Sequence, residues 1–150
     1  MMSNVQVDFD QFNEYVDLVK KLDYYLLSEM KEELEGYQAF RMDDIKDGIA
    51  YHRIENRAKD GFVKLCSANN AIILRFGSNT DNNYKGLVKQ HVVDKHFNLL
   101  NKRTEKHLNK FANEAFIYFE TLENLINIDD WEFVKQLIKE AYTDKFLDKE

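Results

Sequence analysis

The sequence contains no proline, although 150 residues at ordinary usage would include about seven. Helix stops and turns must therefore come from glycine, asparagine, aspartate or side-chain capping. Asn (14) and Lys (16) are abundant instead, the trend of A/T-rich coding, so a low-GC bacterium, its phage or a plasmid is the expected source. A single cysteine, Cys66, excludes an internal disulfide and suits a reducing, cytoplasmic compartment. No apolar run exceeds the five residues Ala115–Phe119, far short of the roughly 17–25 of a membrane helix, so no membrane partner is expected. The first eight residues, Met1 to Asp8, lack a basic region followed by an apolar stretch, so no signal peptide is expected.

The motifs of common chemistry are missing too. Glycines 36, 48, 61, 77 and 86 are scattered, and neither GxxxxGK[ST] nor GxGxxG is present to cradle a phosphate. There is no HExxH pair and no GxSxG elbow. His91 and Asp94 are helix neighbours by spacing, but His96 lies about 140° around the helix from His91 and His107 falls in another segment, so no metal is expected. Asp81 to Gly86 opens like a calcium loop, yet Lys85 stands where an oxygen ligand belongs and Val92 where the bidentate glutamate belongs. Cys66 has Lys64 two residues away, but its apolar strand context makes it a small core residue. Neither an enzyme nor a cofactor is expected.

What the chain does hold is ample core material: 11 Phe, 8 Tyr and Trp131 within a 44% apolar composition, which excludes intrinsic disorder and fits a single domain over 1–150. Phe9, Phe12, Val16, Val19, Leu22, Leu26 and Met30 recur at spacings of three and four. This predicts a helix from about 8 to 35, capped by Asp8 with Gln11 and Val7, stopped by Gly36, with a possible break near Ser28. The period then changes. Ile49–Glu55, Phe62–Cys66 and Ala71–Phe76 are short, aromatic or β-branched, and separated by Asp60-Gly61 and Asn69-Asn70, the composition of a three-stranded antiparallel meander. A polar loop over 77–83 follows, then helices over Leu87–Leu100, over about 108–126, and from Asp129 with Glu132 completing a capping box. The expected class is α+β: a long N-terminal helix, a small three-stranded sheet, then two or three C-terminal helices packed on one face.

Charge is distributed in blocks. Residues 1–50 carry net −7, residues 51–110 net +7 and residues 111–150 net −6, so the overall −6 conceals a basic middle that also holds all four histidines. Two surfaces follow as expectations. Glu29, Glu32, Glu33 and Glu35, followed by Asp43, Asp44 and Asp47, form an acidic strip suited to docking on a basic protein face, as inhibitors and immunity-type proteins do. Arg53, Arg57, Lys59, Lys64 and Arg75 form the alternative, a basic patch for nucleic acid on which Tyr51 and Phe62 could stack bases, although a pI near 5.3 is unlike dedicated nucleic-acid binders. Among the aromatics, Tyr24, Tyr25, Phe111, Phe116, Tyr118, Phe119 and Trp131 read as core, with Tyr25 and Tyr118 off their stripes and therefore candidates for partner contact. The leading expectation is a small, non-catalytic, regulatory protein-binding module whose partner the sequence does not name.

Overall fold

The computed structural model describes residues 12–44, 48–53, 61–77, 85–99, 105–125 and 127–147. Helix α1 (Val16–Tyr24) continues through a π-helical turn (Tyr25–Glu29) into α2 (Met30–Glu33). Val19, Leu22, Leu26 and Met30 are buried along it, as their spacing predicts; Phe12 is buried too but precedes the helix, which starts at Val16 after Tyr15 rather than near residue 8. The helical path changes character where the break near Ser28 was expected. The Met30 N–H reaches back five residues to the Tyr25 carbonyl, while the Tyr37 hydroxyl donates to the Leu26 carbonyl at 2.6 Å. The π-helical turn and the side-chain hydrogen bond to its ladder thus coincide at this point of the helix. Gly36, with φ 82, adopts the left-handed backbone that lets the chain turn out of the helix. The cap at Asp8 lies outside the described residues.

The sheet has five antiparallel strands in sequential order, not three: β1 (Ala39–Asp44), β2 (Gly48–Arg53), β3 (Gly61–Cys66), β4 (Ala71–Arg75) and β5 (Glu114–Tyr118). The predicted meander supplies the middle three. Asn70, with φ 50, makes the left-handed turn expected between β3 and β4; Asp60 and the loop positions 78–83 lie outside the described residues. The two outer strands were hidden for different reasons. β1 alternates Ala39, Arg41 and Asp43 with Phe40, Met42 and Asp44, a pattern that charge dilutes. β5 falls within the segment read as a helix over 108–126, which is instead α4 (Glu105–Lys110), β5 and α5 (Phe119–Glu123). There Ala115, Phe116 and Phe119 satisfy a helical period, but the unbroken apolar run around them is that of a strand buried on both faces.

Both faces are indeed covered. Ile49, Tyr51, Val63, Leu65, Ile72, Leu74, Ala115 and Ile117 meet the helices in the main core, while Cys66, Ala71, Ile73 and Phe116 form a smaller cluster on the opposite face. A register shift between Tyr51 and His52 keeps Phe62 on the helix side with Val63, so Phe62 does not share a face with Cys66 as simple alternation requires. Helix α3 (Lys85–Phe97) lies along β5 and against α6 (Ile128–Tyr142), whose last turn opens into a second π-helical turn (Thr143–Leu147). The cap of α6 is Asn127, whose side chain accepts from the Asp130 N–H at 2.8 Å, rather than Asp129. Burying the helices on one face holds for α1, α3 and α6. The His107 ring of α4 instead lies 5.6 Å from Phe116 on the other face.

Helices α1 and α6 are joined by Tyr25 and Trp131, ring centroids 6.2 Å apart, with the Lys21 ammonium 4.5 Å over the indole. Tyr37, Phe62, Tyr142 and Phe146 interlock at the far end of α6, with neighbouring rings 4.7–6.2 Å apart. Among the described residues no helix is long and apolar enough to cross a membrane.

Candidate protein-docking surface

The acidic positions do not form one strip. The Tyr37 hydroxyl meets the Leu26 carbonyl and the Arg41 guanidinium meets Asp23, so β1 runs back alongside α1 from its C-terminal end. Glu33 is ten residues beyond Asp23, about 15 Å of helix, whereas Asp43 lies two strand residues beyond Arg41 in the opposite direction, about 7 Å. The structure therefore yields an acidic helix end and, well away from it, an acidic strand end. Glu29, Glu32 and Glu35 are exposed at the former. Asp43 is exposed at the latter, 3.4 Å from the Arg41 Nε, with Asp44 closing β1; Asp47 lies outside the described residues.

Glu33 has a different task from its acidic neighbours. Its carboxylate accepts from the Tyr25 hydroxyl at 3.1 Å and pairs with Lys139 at 3.1 Å and Lys135 at 3.7 Å, both on α6. Burial alone would raise the Glu33 pKa, but hydrogen bonds from Lys139 and Tyr25 and the charges of Lys135 and Lys139 outweigh it and hold the carboxyl below its ordinary value. Burial is also the main reason the Tyr25 phenol is pushed well up, reinforced by the charge of Glu33. Tyr25 is therefore wholly buried between two helices, which corrects its reading as a partner contact: the π-helical turn starting at this residue faces it toward α6. Tyr24 is the exposed member of the pair, at 61%.

A depressed carboxylate stabilises the folded state above its unfolded pKa and loses that contribution as pH falls through the folded value. Wild type should therefore lose melting temperature between about pH 5 and pH 2 more steeply than Glu33→Gln, which cannot titrate there. Parallel melting profiles for the two proteins would show that the Glu33 cluster does not tie α2 to α6.

The basic middle is divided. Arg53 lies on the helix side, its Nη1 donating to the Phe146 carbonyl at 3.3 Å and its guanidinium 5.8 Å from the Phe146 ring. Lys64 alternates with the core residues Val63 and Leu65 and so belongs to the opposite face. Arg75 pairs with the buried Glu114 at 2.9 Å. Arg57 and Lys59 lie outside the described residues. Tyr51 and Phe62 are fully buried, which corrects their reading as base-stacking groups; the Tyr51 hydroxyl donates to Asp23 at 2.6 Å, beside Arg41.

Opposite charges separated along the sequence meet twice where α3 lies on α6. Lys89 pairs with Glu140 at 2.5 Å, and His96 contacts Asp130 at 2.9 Å while its ring stacks on Phe133 at 3.8 Å and 4°. Such exposed pairs contribute about 0–1 kcal/mol each, so their main effect is to offset charge rather than to anchor the fold.

Sequence reasoning missed one polar residue of structural weight. Gln90 is 1% exposed; its amide N–H₂ donates to the Phe116 carbonyl at 3.0 Å and its amide oxygen accepts from the Phe116 N–H at 2.7 Å. One side chain thereby supplies to the outer edge of β5 the donor and acceptor that a sixth strand would bring. The only available signal was a glutamine on the apolar side of α3, three residues before Val93. Tyr118 is half-buried on the outer face of β5.

Compared with known proteins, the chain matches no family model, and no curated protein or solved structure is significantly similar to it.

Proposed function

We propose that the chain is a non-catalytic protein-binding module, of inhibitor, immunity or regulatory type, that docks a basic surface of its partner on the acidic helix end. The observation that supports this reading is the contrast at that end. Glu29, Glu32 and Glu35 are exposed, while Glu33 between them is tied to Lys135, Lys139 and Tyr25. Glu33 ties the helix end to α6, and the exposed carboxylates of Glu29, Glu32 and Glu35 are placed to present their charge to a cationic partner. Carboxylates at a helix C-terminus also oppose the macrodipole, by about 0.3–1 kcal/mol each when exposed, so folding alone gives no reason to gather them there. Nucleic-acid binding through 51–110 has less support, because Arg53 and Lys64 lie on opposite faces and Arg75 meets Glu114.

The test is affinity capture from the source organism by wild type and by the Glu29→Lys, Glu32→Lys, Glu35→Lys triple variant, with bound proteins identified by mass spectrometry. Wild type should retain a protein with a basic face that elutes at raised salt, and the triple variant should lose it without a fall in melting temperature. Identical sets of bound proteins would reject the acidic end as the docking surface.

A further inference from the structure

We propose that the outer edge of β1 pairs with the same edge of a second copy, joining two five-stranded sheets into one ten-stranded antiparallel sheet about a two-fold axis. This concerns a different surface from the acidic helix end and stands independently of that reading.

The two borders of the sheet are treated differently. β5 is closed by Gln90, whereas among the described residues β1 has a single hydrogen-bonded neighbour, β2. An edge strand carries an outward row of backbone donors and acceptors, and charged side chains are a usual guard against indiscriminate pairing. β1 has such a guard in Arg41 and Asp43, but the order of its signs makes it self-complementary.

In a continuous antiparallel sheet, directly opposed side chains share a face, so a two-fold axis must pass through a residue paired with its own copy. Three centres lie within the charged part of β1. Centring on Arg41 sets two guanidiniums opposite each other. Centring on Asp43 sets two carboxylates opposite each other and leaves only three residues of overlap. Centring on Met42 places Arg41 of each copy opposite Asp43 of the other, twice, with Met42 on Met42 and Phe40 opposite Asp44.

Only this last register is electrostatically favourable at both flanking pairs. It uses side chains already in position. Arg41 is held from behind by Asp23 at 2.9 Å, and Asp43 is exposed with the Arg41 guanidinium 3.4 Å away. It also covers Met42, a large apolar side chain left 44% exposed on the outer face. The same charges that repel unrelated strands thus select this chain's own.

Sedimentation equilibrium of the full chain should give twice the chain mass. Asp43→Arg, which opposes guanidiniums at both flanking pairs, should raise the dimer dissociation constant roughly tenfold or more with an unchanged circular dichroism spectrum. Met42→Cys should form a disulfide-linked dimer under mild oxidation faster than Lys31→Cys on the exposed surface of α2, Cys66 being buried in both. A monomeric wild type, a dimer unaffected by Asp43→Arg, or equal cross-linking of the two cysteine variants would each overturn the proposal. Should Asp43→Arg fail to fold, the cysteine pair decides alone. None of these outcomes bears on capture through Glu29, Glu32 and Glu35.

Discussion

Gly86→Ala should be among the most damaging single-methyl changes in the chain. A Cβ at this position would lie 2.0 Å from the Glu114 nitrogen and 2.1 Å from the Asn113 carbonyl carbon, both backbone atoms that cannot rotate aside. The contact arises because the first turn of α3 rests directly on the chain entering β5. There the Leu87 N–H donates to the Ala112 carbonyl at 2.7 Å and the Phe76 N–H to the Asn113 carbonyl at 2.9 Å. Overpacking typically destabilises by about 1–3 kcal/mol, and a clash with backbone belongs at or above the top of that range. For a domain of this size, about 3 kcal/mol corresponds to a melting temperature lowered by roughly 6–12 °C. Gly61→Ala, whose added Cβ meets its nearest atom at 3.2 Å, supplies the mild comparison. If Gly86→Ala melted no lower than Gly61→Ala, the close seating of α3 on β5 would be refuted.

Gln90→Leu is expected to rank beside it. The substitution preserves volume but removes both bonds to Phe116 in a site almost closed to water. Losing a buried donor's or acceptor's partner costs about 1–3 kcal/mol for each group, so about 2–6 kcal/mol in all is expected in urea unfolding. Solution behaviour should change as well, because β5 would then offer the outward backbone groups that Gln90 now occupies, and light scattering on warming should rise. Gln90→Glu separates the two bonds. Its carboxylate can still accept from the Phe116 N–H but sets an oxygen against the Phe116 carbonyl, so it should be at least as unstable as Gln90→Leu at neutral pH and recover in acid. Unfolding free energies equal to wild type in both variants would reduce Gln90 to a bystander.

These two sites also mark the limit of what sequence patterns disclose. The α1 stripe was legible because it has one buried face, and the β2–β4 meander because its short aromatic or β-branched runs are separated by turn residues, with Gly36 and Asn70 supplying turn geometry where proline is missing. β5 was not, since a strand buried on both faces has no alternation, and five apolar residues satisfy a helical period equally well. β1 was missed for the converse reason: its charges belong to an edge and break the apolar rhythm. The acidic residues were visible as a list but not as a surface. Glu32 and Glu33 are adjacent, chemically identical and both reach solvent, yet the Glu33 carboxylate also meets Lys135 and Lys139 of α6, because neighbours on a helix point about 100° apart. That pairing joins residues about a hundred positions apart in the chain, which no local pattern contains.

The lone tryptophan turns one of these junctions into an optical probe. Trp131 lies edge-on to Tyr25 and beneath the Lys21 ammonium, so its fluorescence samples the seam between the first and last helices. Emission colour and quenching can therefore follow separation of those two helices without any label, while far-ultraviolet dichroism follows the fold as a whole. If the two signals diverge during denaturation, the seam opens as a unit of its own.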